Sequence, residues 1–327
     1  IGIFLYNFFA SLLRSLGNSL VPLLFLAVSA MLNIGLDLWF VAGLHRGIAG
    51  AAEATVLSQY VSGIGIAVYT RIKFPGLWKK EESVRLRLHR VREIARFSAL
   101  TCLQQSIMNL GILAVQGLVN SFGTTVMAAF AAAVKIDAFA YLPVQDFGNA
   151  FSIFTAQNVG AGHTGRIQKG IRTAVVISLG FGLFLSACVF AFAGPLMTLF
   201  IKAEETAVVA EGVRYLRIEG AFYFLIGGLF LLYGLYRALG KPGMSVVLTV
   251  VSLGTRVLLA YALSALPAVG VAGIWWSVPI GWLLADALGT GYYFLKRKKG
   301  LFPSRPQAAG PGAIPPEAAG SGRGKTP

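Results

Sequence analysis

Leu13-Arg14-Ser15-Leu16-Gly17 returns 223 positions later as Tyr236-Arg237-Ala238-Leu239-Gly240. Carried forward without a gap, the same offset sets Gly47-Ile48-Ala49-Gly50 over Gly270-Val271-Ala272-Gly273. The apolar segment between the two landmarks has the same length in each copy. An ungapped register that holds an arginine, a glycine and then Gly-x-Ala-Gly across residues 13–50 is the mark of one supersecondary unit used twice.

Of the 327 residues, 56% are hydrophobic and only 13% are charged, with a mean hydropathy of +0.71. That is more apolar surface than a soluble domain of this size can bury, so the class is an all-α polytopic membrane protein. A net charge of +15 and a pI near 10.1 would suit a nucleic-acid binder. The bases, however, sit in short clusters between apolar runs, as they do on a cytoplasmic membrane face, and no nucleic-acid partner is expected. Cys102 and Cys188 lie inside apolar segments, and His45, His89 and His163 stand singly in polar connectors. No metal-ligand spacing exists, so neither a metal nor a cofactor is expected.

Apolar runs of spanning length, about twenty residues each, are predicted near 20–42, 48–70, 94–121, 126–157, 171–194, 212–238, 243–265 and 270–295, with a partial one at 1–16. Arg14, the run Arg71–Arg92, the group Arg166, Lys169 and Arg172, the pair Arg237 and Lys241, and Lys296–Lys299 occupy every second connector. The connectors between them hold only Arg46 and Lys202. This alternation places the C-terminus in the cytoplasm and the protein in the cell membrane. Residues 71–93 read as a basic cytoplasmic linker between a first half, 1–70, and a second, 94–297. The Pro-, Gly- and Ala-rich segment 298–327 is predicted to be a disordered tail. Because Ile1 falls in what reads as the middle of a helix, an upstream portion of roughly a hundred residues is expected.

Polar side chains at bilayer depth are costly and mark candidate sites. Asn33 and Asp37 share a helical face, and Thr55 enters the next span from the same outer connector at a similar depth, about 10 Å in. A carboxylate, an amide oxygen and a hydroxyl suit a proton or a hard cation such as Na⁺; the alternative is an interhelical hydrogen-bond clasp. The repeat register puts Arg256, Ala260 and Val278 at these three places. The constellation therefore exists in the first half only, which favours an ion site over a clasp that the fold requires.

Further along, Gln105, Asn109, Gln116 and Asn120 form an uncharged polar stripe that suits a wet cavity or else glues helices together. The span 126–157 carries Lys135, Asp137, Asp146 and Pro143. The proline predicts a bend, and Lys135 is expected to pair with Asp137 or with a carboxylate on a neighbouring helix. Glu219, Tyr223 and Phe230 fall on one face, an acid with aromatics that suits an organic cation; the alternative is plain aromatic packing.

The paired Arg-x-Leu-Gly ends, the Gly-x-Ala-Gly starts, Lys135-Ile136-Asp137-Ala138-Phe139-Ala140-Tyr141 with Pro143, and Gln157-Asn158-Val159-Gly160-Ala161-Gly162 together resemble the multidrug and toxic compound extrusion family of efflux transporters. The resemblance covers residues 1–297. It implies two pseudo-symmetric lobes of six helices, with this chain starting in the fourth of twelve. It also implies a cation site at Asn33, Asp37 and Thr55. The family's first-span aspartate has no counterpart here, and its seventh-span glutamate falls at Gln104 or Gln105.

The function implied is not enzymatic. It is secondary antiport, in which a monomer exports cationic or amphipathic organic compounds against an inward flow of H⁺ or Na⁺. The substrate-cavity candidates are Gln105, Asn109, Gln116, Asp137, Asp146, Glu219, Tyr223 and Arg256. A lipid-linked saccharide flippase, with Lys135 and Arg256 facing phosphates, is the main alternative; an uncoupled channel or scaffold is the other. No nucleotide-binding motif is present, which argues against an ATP-driven pump.

Overall fold

The structure, a computed structural model, describes residues 1–78 and 88–297. The centre of the predicted linker, 79–87, and the predicted tail, 298–327, lie outside the described residues. Every regular element among the described residues is a helix, and the protein is a multi-pass membrane protein. The chain divides into two compact units, Ile1–Arg90 and Val91–Pro327.

In the first unit, α1 (Gly2–Ser15) and α2 (Leu20–Asp37) both pack on α3 (Gly47–Lys73). Lipid tails are as apolar as the side chains and give no hydrophobic drive to association, so these helices are held by close contact and polar clasps. The Tyr6 hydroxyl donates to the carbonyl of Pro22 at 2.9 Å, Ser29 to that of Ser58 at 3.0 Å and Ser62 to that of Phe25 at 3.1 Å. Phe9, Ala10, Leu13 and Ile66 form the core beneath. Directly after Asp37 the helix widens into a π turn over Leu38–Gly43.

The second unit contains α4 (Leu88–Asn120), α5 (Thr124–Gly160), α6 (Thr164–Thr198), α7 (Thr206–Gly220), α8 (Tyr223–Ala238), α9 (Pro242–Ser264) and α10 (Val271–Arg297). Helix α8 is its axis, packed against α5, α6, α9 and α10 and buried along most of its length. The crossing with α5 is made of glycine. A Cβ on Gly148 would stand 2.8 Å from the carbonyl oxygen of Phe230, and one on Gly234 would strike the backbone of Gly148. Large hydrophobics such as Val176, Phe184 and Leu283 remain exposed, as a lipid-facing surface requires.

The repeat holds in three dimensions. The offset of 223 lays α1 on α8, α2 on α9 and α3 on α10. Both α1 and α8 end in the same left-handed glycine turn, at Gly17 (φ 86°) and Gly240 (φ 70°). The Asn18 N–H donates to the Leu13 carbonyl at 2.9 Å, and the Lys241 N–H to the Tyr236 carbonyl at 2.8 Å, the bond that closes a Schellman cap. Gly47 and Gly270, at φ 57° and 54°, open α3 and α10 alike.

Three predictions change. Of the eight spans expected, six helices are long and apolar enough alone, among the described residues. The 212–238 span is a bent pair, α7 and α8, meeting at 50°. The last, α3, has the length but carries Glu53, Thr55, Ser58, Gln59 and Ser62. Helix α5 continues through Pro143 as a single element of 37 residues. The departure from helical dihedrals falls instead in α6 at Phe192 (φ −103°, ψ 16°), three residues before Pro195, whose ring displaces the preceding turn.

Candidate functional site

Two acids meet at the heart of the second unit. Asp137, on α5, is 5% exposed, and Glu219, at the end of α7, is 2% exposed. Tyr215 donates to Asp137 Oδ2 at 2.6 Å, and Tyr223 donates to Oδ1. Tyr141 donates to Glu219 Oε1 at 3.3 Å, while Glu219 Oε2 is buried without a partner. Burying a carboxylate is tolerable only where donors replace water, and phenols supply them here. Arg256 of α9 is the basic side chain whose charge reaches both acids; its Nε is itself buried and unpartnered. Tyr215 and Trp275 meet edge to face at 4.8 Å, and Phe130 stacks on Trp275 at 5.6 Å, so the phenol is held rigidly.

Chain geometry explains the convergence. The break at residues 220–223 releases Tyr223 from the helix of Glu219 and turns it towards Asp137. A continuous helix would have left Glu219, Tyr223 and Phe230 in one stripe, as expected from the sequence; all three are buried, but on two helices.

Arg256, Tyr141, Phe230 and Trp282 line a cavity of about 60 Å³, room for a few waters. The repeat register shows its counterpart in the first unit, where Asn33, Asn7 and Gln59 take the places of Arg256, Phe230 and Trp282, and Ser29 that of Ser252. There the cleft is polar and opens to about 340 Å³, a volume suited to a small ligand. Asn33 Nδ2 faces Thr55 Oγ1 across it at 3.5 Å, at the outer limit of a hydrogen bond. Duplication thus made one cleft twice, and substitution filled the second copy with aromatic rings.

The structure brings Asn33 and Thr55 together but gives Asp37 no bond to either: its Oδ1 is buried and unpartnered, at the start of the π turn. Gln105 and Asn109 are exposed on α4, Gln116 donates to its own helix neighbour Asn120 at 3.2 Å, and the buried amide is Gln104. Asp146 is exposed. Lys135 does not pair with Asp137, because the two point to opposite sides of α5; its ammonium lies 5.8 Å above the ring of Phe200. Tyr141 and Tyr215 were not singled out from the sequence. Their signal was present in the fourfold spacing Asp137/Tyr141 and Tyr215/Glu219/Tyr223, which puts acids and phenols on facing sides of two helices.

The MatE family matches residues 101–262, the stretch that carries α5, α7 and their acids. A probable multidrug resistance protein of Bacillus subtilis (strain 168), YpnP, is 31% identical over 91% of this chain and 66% of its own length. The chain belongs to the MatE family. It spans about two thirds of the length of the curated relatives it matches, 66% of YpnP and 65% of YoeA from the same organism. The MatE fold of the chain agrees with the crystal structure of the Vibrio cholerae MATE transporter VcmN in the bent form. That match has a TM-score of 0.81 at 24% identity, over 91% of this chain and 67% of that one.

Proposed function

We propose that this MatE protein is a secondary transporter that exports cationic or amphipathic organic compounds from the cell in exchange for inward H⁺ or Na⁺. The observation that carries the proposal is the pair of buried acids, Asp137 and Glu219, enclosed by Tyr141, Tyr215 and Tyr223. Negative charge among ring faces is a recognition surface for organic cations, and its burial couples occupancy to the conformation of the helices around it. The relatives named as multidrug resistance proteins support the same reading. The flippase alternative needs two bases around one phosphate, and the cavity lined by Arg256 does not include Lys135.

In this proposal the protein acts as a monomer in the cell membrane with its basic connectors in the cytoplasm. The first unit supplies the coupling ion's place near Asn33, Asp37 and Thr55, by exchange at a carboxylate rather than through any cofactor. The test is export of a fluorescent organic cation from vesicles containing the protein, with the proton and sodium gradients collapsed in turn. Loss of export with one gradient is expected and identifies the coupling ion; export indifferent to both would overturn the proposal.

A further inference from the structure

A third acid, half-buried, stands apart from this cluster. Asp286 lies on α10, fifteen residues from Val271 and eleven from Arg297. At 1.5 Å per residue that is about 22 and 16 Å from the helix ends, near the middle of a bilayer core about 30 Å thick. Its Oδ1 is buried without a hydrogen-bond partner, and it forms no salt bridge among the described residues. A polar group at that depth is costly to keep without a partner.

The carboxylate borders a cavity of about 390 Å³ between α5, α6, α8 and α10, and none of the residues of the Asp137 and Glu219 cluster lines it. Phe151, Phe224, Tyr293 and Phe294 supply ring walls, and Ser178, whose Oγ is also buried and unpartnered, adds a second polar atom. Gly228 keeps the approach open, since a Cβ there would stand 3.1 Å from Asp286 Oδ2. A hard cation would demand six or more oxygens, which these walls do not offer. A neutral apolar molecule would leave the carboxylate unanswered. An organic cation with apolar substituents answers both the charge and the walls.

We propose that the Asp286 cavity is a second binding site, for a lipophilic organic cation, separate from the acid and tyrosine cluster. The proposal concerns binding alone and does not depend on the transport reading.

The test is photolabelling of the full chain in phosphatidylcholine nanodiscs. The probe is a benzophenone-bearing quaternary ammonium, and adducts are mapped by mass spectrometry. The expected result is labelling of α6 and α10 around Val175, Leu179 and Thr290, displaced by excess tetraphenylphosphonium. Asp286→Asn should lower labelling at these positions at least about tenfold, as loss of one partner of a desolvated charge pair does. A neutral benzophenone of the same shape should label these positions far more weakly than the cation, and to the same extent in the wild type and this variant. Thr290→Trp, which fills the cavity and keeps the acid, should also abolish labelling there and serves if Asp286→Asn fails to fold. Cation labelling of α6 and α10 unchanged by either substitution, or matched by the neutral probe in the wild type, would show an apolar crevice with no selectivity for charge and would overturn the proposal.

Discussion

Tyr215 donates a 2.6 Å hydrogen bond to Asp137 across 78 residues of sequence, and one helical turn further along the same two helices Tyr141 donates to Glu219, again across 78 residues. The two rungs share a register but exchange roles: α5 gives the acid in one and the phenol in the other. Helices α5 and α7 therefore run parallel, locked by two bonds of opposite direction, and each acid is held by a donor from the neighbouring helix. Whatever binds these acids changes the bonds that fix α5 to α7.

Removing one rung should destabilise the second unit measurably. Tyr215→Phe leaves Asp137 Oδ2 buried without its donor, at a cost of about 2 kcal/mol, the range for a hydrogen bond to a charged group. The effect should shrink in the background of Asp137→Asn, since residues in one network do not act additively. Thermal unfolding in detergent of both single variants and the double variant measures this. Strictly additive losses would show that the bond contributes nothing as a pair.

The glycine crossing of α5 and α8 predicts a second loss. Gly148→Val places methyl groups against the Phe230 carbonyl, 2.8 Å from where a Cβ would stand, and the backbone has no rotamer by which to yield. A cost of about 1–3 kcal/mol, typical of an overpacked core, is expected as a lower unfolding midpoint. Gly165→Ala, where nothing lies within 4 Å, should be close to neutral in the same assay.

The duplicated caps should behave as duplicates. Gly17 and Gly240 have open space around them, so only their left-handed φ argues against a side chain. Gly17→Ala and Gly240→Ala should each cost about 1 kcal/mol, the penalty for an L-residue in that region. Glycine replaced by asparagine, which tolerates the conformation, should recover part of the loss.

The sequence was most legible where backbone chemistry decides. An Arg-x-Leu-Gly end needs a left-handed glycine wherever it occurs, so the repeat could be read before any helix was seen. The site was less legible because facing directions depend on breaks. Glu219 and Tyr223 look like one stripe until the 50° bend after Gly220 puts them on two helices and turns Tyr223 towards Asp137. Lys135 and Asp137, two apart, point to opposite sides of α5, and spacing alone ruled out the pair that their charges suggested. Asp286 is not legible as a site in the sequence because its cavity is assembled from four helices whose packing no single stretch encodes.

The sharpest prediction concerns Asp37. Its Oδ1 is buried and accepts no hydrogen bond, and it stands where α2 gives way to the π turn Leu38–Gly43, a local irregularity that often accompanies function. In the proposed function this unanswered oxygen is where the coupling ion binds. Asn33 lies one helical turn before Asp37 on α2 and faces Thr55 at 3.5 Å across the cleft. Asp37→Asn keeps the size of the side chain and deletes only its charge, and because no native bond is broken, folding should be retained. In vesicles, the variant should still bind the organic cation in the second unit but lose export driven by the ion gradient. Export at the unmodified rate would remove Asp37 from the coupling step and leave Asn33 and Thr55 as a helix clasp.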